Sequence, residues 1–335
     1  MTNPAVCVTA VTKRFGPTTA LDGIDLSMPE GSVFGLLGPN GSGKTTLVRI
    51  LTNILSPDSG HATVLGFDVA RQPSLVRLNI GLAGQAAAVD ENLTGAENLA
   101  LIGRLAQIPR RDVPIRVDEL LERFQLVDAA RRPVRTYSGG MRRRLDIAAS
   151  LMQRPPVLFL DEPTTGLDPH SRTTLWDMVR DLVTDGTTVL LTTQYLEEAD
   201  HLADHLAVID NGSVIARGTP SELKARLGTT IIELGFQNTQ LATQARDCLT
   251  ARTATRPDQD GETLRLASAE GSRILVEVLH ALDTAHRPPH SIVVREPSLD
   301  DVFLTLTGHR SDDATAENLC DQADVDRAPS ASGTP

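Results

Sequence analysis

The 335-residue chain carries 32 Lys and Arg against 43 Asp and Glu, a formal net charge of −11, which argues against polyanion binding by bulk electrostatics. Its 40% hydrophobic residues supply an ordinary core over a length that suggests roughly two domains, with only 3% aromatic. The three cysteines, Cys7, Cys248 and Cys320, are far apart and form no CxxC pair, so neither a disulfide framework nor a zinc site is expected. Met1-Thr2-Asn3-Pro4 lacks a secretory layout, and no apolar run approaches the ~20 residues of a membrane span. The expectation is a soluble chain that reaches a membrane only through a partner.

Val6 to Val11 and Ile24 to Met28 read as strands joined by a loop containing Lys13-Arg14-Phe15-Gly16. Phe15 is either a core residue or an aromatic face for a nucleobase. Val33-Phe34-Gly35-Leu36-Leu37 reads as a buried strand and Leu47 to Leu51 as a helix. Between them lies Gly38-Pro39-Asn40-Gly41-Ser42-Gly43-Lys44-Thr45-Thr46. Glycines let such a loop turn tightly, so that successive N–H groups converge on a phosphate where the helix N-terminus adds partial positive charge. Lys44 is placed to reach β- and γ-phosphates, and the Thr45 hydroxyl to ligate Mg²⁺. This is a phosphate-binding loop in its strand–loop–helix context, and a nucleoside triphosphate is its expected ligand.

Pro57-Asp58-Ser59-Gly60 is a turn before a strand near Ala62 to Leu65, and Ile80 to Gln85 is a short strand ending in a glutamine. Leu93 to Leu105 and Val117 to Phe124 have helical spacing, with Pro109 and Pro114 marking the loop between them. Residues 86–135 therefore read as a helical insertion in an α/β domain. Tyr137-Ser138-Gly139-Gly140-Met141 opens another helix, with Ser138 as N-cap and the Ser-Gly-Gly backbone as a second anion site. Arg142-Arg143-Arg144 reads as a solvated helix face rather than a nucleic-acid contact.

Val157-Leu158-Phe159-Leu160-Asp161-Glu162 is an apolar strand ending in two carboxylates, which suits a parallel sheet whose ligands lie beyond the strands' C-terminal ends. Asp161 would hold Mg²⁺ through water, and Glu162 would polarise the attacking water. Thr187 to Thr193 is the next buried strand, ending at Gln194. His201 and His205, at i,i+4 on the helix that follows, read as surface residues rather than a metal pair. Leu206 to Asp210 and Val214 to Arg217 form a hairpin around Asn211-Gly212. From 229 to 308 the strand-like runs Thr230–Leu234, Thr263–Leu266 and Ile292–Arg295 and the helix-like runs Gln240–Thr250 and Arg273–Leu282 suggest a small α+β domain. Residues 309–335 read as a disordered acidic tail.

Over residues 5–225 these motifs resemble the ATP-binding subunit of an ABC transporter. Gly38 to Thr45 resembles its Walker A loop, Val157 to Asp161 its Walker B strand, and Glu162 its catalytic glutamate. Gln85 falls at the Q-loop and Gly166-Leu167-Asp168 at the D-loop. Ser138-Gly139-Gly140-Met141 resembles the signature, with Tyr137 and Met141 replacing the commoner Leu and Gln, and Phe15 falls at the A-loop aromatic. Thr136 to Arg144, Leu191 to Asp200 and Pro297 to Leu304 resemble, more narrowly, the daunorubicin-resistance (DrrA-type) ATPases. Those are single cassettes with a C-terminal accessory domain, paired with a separate permease that exports drugs or lipids. Gln194 stands where most cassettes have a switch histidine, a substitution familiar in that branch.

The resemblance implies an α/β P-loop cassette over residues 1–228 with a C-terminal α+β domain, and ATP and Mg²⁺ as cofactors. Nucleotide contacts would come from Phe15, the Gly38–Thr46 loop, Ser138, Gly139, Gly140 and Asp168. Mg²⁺ would be held by Thr45, Gln85 and Asp161, and catalysis would fall to Glu162, Gln194 and Gln85. Implied partners are a second copy, head to tail, and an integral membrane permease, on the cytoplasmic side of the cell membrane and without nucleic acid. One rival is a non-transport ABC ATPase of translation or DNA-repair type, but the chain lacks a second cassette and a long coiled coil. The other is a binding module with a vestigial nucleotide site, against which Lys44, Asp161 and Glu162 stand intact.

Overall fold

A computed structural model describes residues 4–85, 88–228, 230–252, 256–268 and 272–307; the tail expected over 309–335 lies outside them. The chain divides into two compact units between Thr219 and Pro220.

The first unit opens with β1 (Val6–Phe15) and β2 (Thr18–Met28), then β3 (Val33–Leu37) and α1 (Lys44–Leu51). β4 (Ser59–Val64), β5 (Phe67–Asp68), α2 (Pro73–Leu78) and β6 (Ile80–Ala83) lead into the helices α3 (Gly95–Leu105), α4 (Val113–Arg123) and α5 (Gly139–Ser150). β7 (Val157–Asp161), α6 (Pro169–Thr184), β8 (Thr188–Thr193), α7 (Leu196–Leu202), β9 (His205–Asp210) and β10 (Ser213–Gly218) complete it.

Two sheets result: an antiparallel one ordered β2-β1-β4-β5, and a larger one ordered β10-β9-β3-β8-β7-β6. In the larger sheet only the β9–β10 pair is antiparallel. β3, β7 and β8 are buried at every residue, as a parallel sheet covered on both faces requires. Along β7, Leu158 and Leu160 join the core under α3 to α6, while Val157 and Phe159 join the core shared with α1, β1, β2 and β4. The strand thus anchors two cores and delivers Asp161 at its C-terminal end.

Several expectations shift here. The loop expected at Lys13 to Gly16 is the tip of a hairpin: β1 runs to Phe15, Gly16 turns at φ 56° and β2 resumes at Thr18. Charged side chains at an exposed tip hide the pairing. Pro114 belongs to the first turn of α4, where a missing N–H costs nothing, and not to the preceding loop. α3 starts on a capping box between Thr94 and Glu97. His201 ends within α7 but His205 opens β9, so the two histidines do not share a helix. Among the described residues no cluster of three His, Cys, Asp or Glu side chains could hold a metal. The β9–β10 turn uses Asn211 at φ 45° and Gly212 at φ 77°, as a tight hairpin demands.

The second unit contains α8 (Pro220–Ala225), β11 (Thr230–Gly235), α9 (Thr239–Arg252), β12 (Asp258–Asp260), β13 (Thr263–Ser268), α10 (Ser272–Thr284), β14 (Ser291–Arg295) and α11 (Leu299–Thr307). Its sheet is antiparallel in the order β12-β13-β11-β14, and Ile232, Leu234, Leu264 and Leu266 pack on α9 and α10. It begins nine residues before the composition change at 229, because α8 buries Leu223 and packs against α11. Among the described residues no helix is long and apolar enough to cross a membrane.

Candidate active site

The loop leaves β3 between its parallel neighbours β8 and β9, and those neighbours shape it. Gly38 donates its N–H to the Thr193 carbonyl at 3.3 Å, and a Cβ at Gly38 would lie 2.2 Å from the Ile209 carbonyl oxygen. Only glycine fits there. Gly43, at φ 111°, likewise backs onto Ala20, whereas Gly41 at φ 79° has open space and serves backbone conformation alone. The Ser42 carbonyl accepts the Gly212 N–H at 3.0 Å, and the Gly212 carbonyl accepts from Asp22 at 2.8 Å. The β9–β10 turn therefore fastens the loop to β2.

Lys44 is 3% exposed, and its ammonium donates to the Gly38 and Pro39 carbonyls at 2.8 and 2.9 Å. Burial pushes its pKa below the ordinary value, while Glu162 and Asp161 pull it back up. Glu162 Oε1 lies 3.9 Å from Lys44 Nζ. The Thr45 hydroxyl donates to Asp161 Oδ1 at 3.1 Å, joining the start of α1 to the end of β7.

Thr192 is one residue that sequence reasoning missed. Its buried hydroxyl donates to Asp161 Oδ1 at 2.6 Å and accepts the Glu162 N–H at 3.0 Å. The Glu162 N–H also reaches the Thr192 carbonyl at 3.2 Å. Glu162 has φ 48°, a left-handed conformation that costs a non-glycine residue energy and needs such supports. The available signal was a hydroxyl at the end of the aliphatic run Val189-Leu190-Leu191, because a buried hydroxyl needs partners.

The residues fit the implied ligands. The Ser42 hydroxyl is buried without a hydrogen-bond partner, beside an ammonium held by the loop's own carbonyls. Thr45 and Asp161 offer hard oxygen donors, one carboxylate and one hydroxyl, as Mg²⁺ sites completed by substrate phosphates do.

The other expected residues are spread more widely. Thr46 follows in α1, half-buried. Gln194 follows β8, half-buried, next to the Thr193 carbonyl that holds Gly38. Gln85 lies exposed just past β6. Ser138 caps α5, accepting the Met141 N–H at 3.2 Å, and is exposed together with Gly139. Gly140 is buried against Ser171, whose hydroxyl a Cβ would approach to 2.6 Å. Asp168 caps α6, accepting from the Ser171 N–H and hydroxyl at 2.9 and 2.7 Å. Phe15 is 50% exposed, which removes the core alternative, and Lys13 Nζ lies 5.7 Å from its ring centroid. Among the described residues, Phe15, Ser138 and Gly139 share no hydrogen bond or ion pair with the Lys44–Asp161–Glu162 cluster.

The arginine run departs from the solvated face expected of it. Arg142 pairs with Glu91 at 2.8 Å, Arg144 donates to the Phe124 carbonyl at 3.1 Å, and Arg143 turns inward with a side chain 12% exposed.

Comparison with known proteins agrees with this geometry. Residues 21–165 match the family model described as ABC transporter, and residues 218–307 match ATP-binding protein DrrA1-3-like, C-terminal domain. The chain is 52% identical over 309 residues to the daunorubicin resistance ATP-binding protein DrrA3 of Streptomyces coeruleorubidus, covering 92% of this chain and 97% of that one. It is 47% identical over 326 residues to the daunorubicin/doxorubicin resistance ATP-binding protein DrrA of Streptomyces peucetius, covering 96% and 98%. Among solved structures, cbiO1 of Clostridium perfringens, part of the cbiONQ ABC transporter complex, matches with TM-score 0.62 and 27% identity, over 67% of this chain and 91% of that one. A dimeric ATP-binding cassette in a post-hydrolysis state with ADP and Pi matches with TM-score 0.59 and 25% identity, over 64% and 98%. With residues 21–165 and the second unit each matched and relatives about half identical over nearly the whole chain, the chain belongs to the DrrA-type ATP-binding proteins, the ATPase subunits of ABC exporters.

Proposed function

We propose that this chain hydrolyses ATP to drive export through a separate integral membrane permease, and that two copies close head to tail around two ATP molecules. The observation that carries the reading is the convergence of Lys44, Thr45, Asp161 and a strained Glu162 at the C-terminal ends of β3 and β7. The Gly38–Thr46 backbone and Lys44 bind the phosphates, Phe15 presents a ring face to the base, and Glu162 polarises the attacking water. Gln194 donates its amide to the γ-phosphate without titrating. Mg²⁺, held by Thr45, Asp161 and Gln85, would neutralise charge developing on the phosphates. Ser138, Gly139, Gly140 and Asp168 face the nucleotide held by the second copy, a role supported by their place at the starts of α5 and α6, where Ser138, Gly139 and Asp168 are exposed.

The dimeric cassette among the solved relatives supports the pairing. The resistance names of the curated relatives support a drug-like cargo. The permease would dock on the helical insertion, where a groove of about 590 Å³ is lined by Leu78, Ile108, Ile115, Arg116 and Met152. That docking would hold the chain peripherally on the cytoplasmic face of the membrane.

Glu162→Gln tests the reading, because it removes the carboxylate and leaves the loop intact. ATP affinity should persist, turnover should nearly vanish, and the variant should accumulate as an ATP-bound dimer on size-exclusion chromatography. Wild-type turnover in that variant would sink the assignment.

A further inference from the structure

The guanidinium of Arg143, inside the α5 that Ser138-Gly139-Gly140 opens, grips three carbonyls on two separate stretches of backbone. Its Nη1 donates to the Gly84 carbonyl at 2.6 Å, its Nη2 to the Asp161 carbonyl at 3.1 Å, and its Nε to the Pro163 carbonyl at 3.0 Å. Nη1 also reaches Asp146 Oδ2 at 3.2 Å, one turn further along α5. Asp146 is 2% exposed, and its Oδ1 accepts the Ala88 N–H at 2.7 Å.

Two consequences follow from these contacts. Gly84 directly precedes Gln85 and Ala88 lies three residues after it, so the Arg143–Asp146 pair bonds to the backbone before and after Gln85. Asp161 and Pro163 flank Glu162, so one planar group brackets the residue with the strained backbone. A rigid fork bonded to three carbonyls cannot follow one of them without pulling on the others. Burial disfavours the charged forms of both Arg143 and Asp146, and each offsets that cost for the other.

We propose that Arg143, braced by Asp146, is a positioning residue that makes hydrolysis at one nucleotide site depend on occupancy of the other. The inference rests on the head-to-tail dimer proposed above. There, Ser138-Gly139-Gly140 at the start of α5 touches the nucleotide of the second copy, while Glu162 and Gln85 act on the chain's own. Arg143 is the shared attachment, so displacement of α5 reaches Glu162 and Gln85 together. The chemistry stays with Glu162; Arg143 sets its position.

The test uses the full chain with two substitutions. Arg143→Lys keeps a cation beside Asp146, but a compact ammonium on a flexible stem cannot span three carbonyls. Arg143→Met combined with Asp146→Asn removes both charges and leaves an oxygen for the Ala88 N–H, guarding against a variant that fails to fold. Both should melt cooperatively and bind a fluorescent ATP analogue within about twofold of wild type. kcat should fall about tenfold, in the range of ordinary coupling between sites, and a sigmoidal dependence of rate on ATP should become hyperbolic. Amide exchange at Ala88 should accelerate in Arg143→Lys without nucleotide. Unchanged cooperativity in the variants, or a hyperbolic wild type, overturns the inference. If Glu162→Gln forms no ATP-dependent dimer, the dimer reading itself has failed; if it dimerises while Arg143→Lys remains sigmoidal, only the role of Arg143 has.

Discussion

Thr192 places a single hydroxyl between the Asp161 carboxylate and the Glu162 backbone, donating to Asp161 Oδ1 and accepting the Glu162 N–H. Thr192→Val keeps the shape and removes both contacts, although the Thr192 carbonyl still holds the Glu162 N–H. Losing a donor to a charged group costs about 1–3 kcal/mol, so kcat should fall roughly 10- to 100-fold with ATP affinity unchanged. Thr192→Ser should restore most of it. Steady-state ATPase measurements beside nucleotide titrations decide the matter, and an unaltered kcat in Thr192→Val would refute the assignment. Lys44, Thr45, Asp161 and Glu162 were legible in the sequence because phosphate chemistry demands them in short local runs. Thr192 and Arg143 were not. A threonine in a strand reads as β-propensity, and an arginine run looks the same whether it meets water or three distant carbonyls.

Among the elements of the second unit, an ion network joins three strands to a helix start. Arg295, the last residue of β14, donates to both carboxylate oxygens of Asp301 at 2.6 and 2.8 Å and to Glu233 of β11 at 2.8 Å. Glu233 also accepts from Arg265 of β13 at 3.0 Å. Asp301 in turn accepts the Ser298 N–H and hydroxyl, both at 2.8 Å, while the Ser298 hydroxyl accepts the Asp301 N–H at 3.3 Å. Burial opposes ionisation of Asp301, but Arg295 and the Ser298 donors outweigh it and hold its pKa at about 2. A depressed carboxyl stabilises the fold above its ordinary pKa near 4 and loses that contribution as pH falls towards 2. The contribution at neutral pH is about 2 kcal/mol. Asp301→Asn should therefore melt earlier than wild type at pH 7, with the gap closing as the pH approaches 2. Calorimetry of the second unit's transition across that range checks this, and a gap independent of pH would contradict it. The Ser298–Asp301 exchange also explains why α11 escaped the periodicity reading. The signal for its start was a cap pair rather than an apolar stripe.

For the whole molecule, the two-unit plan was legible because composition changes and phosphate motifs cease beyond the β9–β10 hairpin. The placement of β3 between β8 and β9 was not, since hydrophobic runs reveal buried strands but not their neighbours. That placement brings the Asn211-Gly212 turn onto the nucleotide loop, and it ties the loop to the chemical ageing of that turn. Asn-Gly pairs deamidate when the glycine nitrogen attacks the asparagine side-chain carbonyl, closing a succinimide and releasing ammonia. Here that nitrogen is held by the Ser42 carbonyl, so the folded loop shields the peptide from the attack. Hydrolysis of the succinimide to isoaspartate would lengthen the backbone by one carbon and move Gly212 off Ser42. Aged protein resolved by peptide mapping should therefore bind ADP more weakly in step with its isoaspartate content, and saturating ADP should slow the damage. Equal affinity in aged and fresh fractions would show that the turn does not fasten the loop. Shelf life and nucleotide affinity meet in one peptide bond.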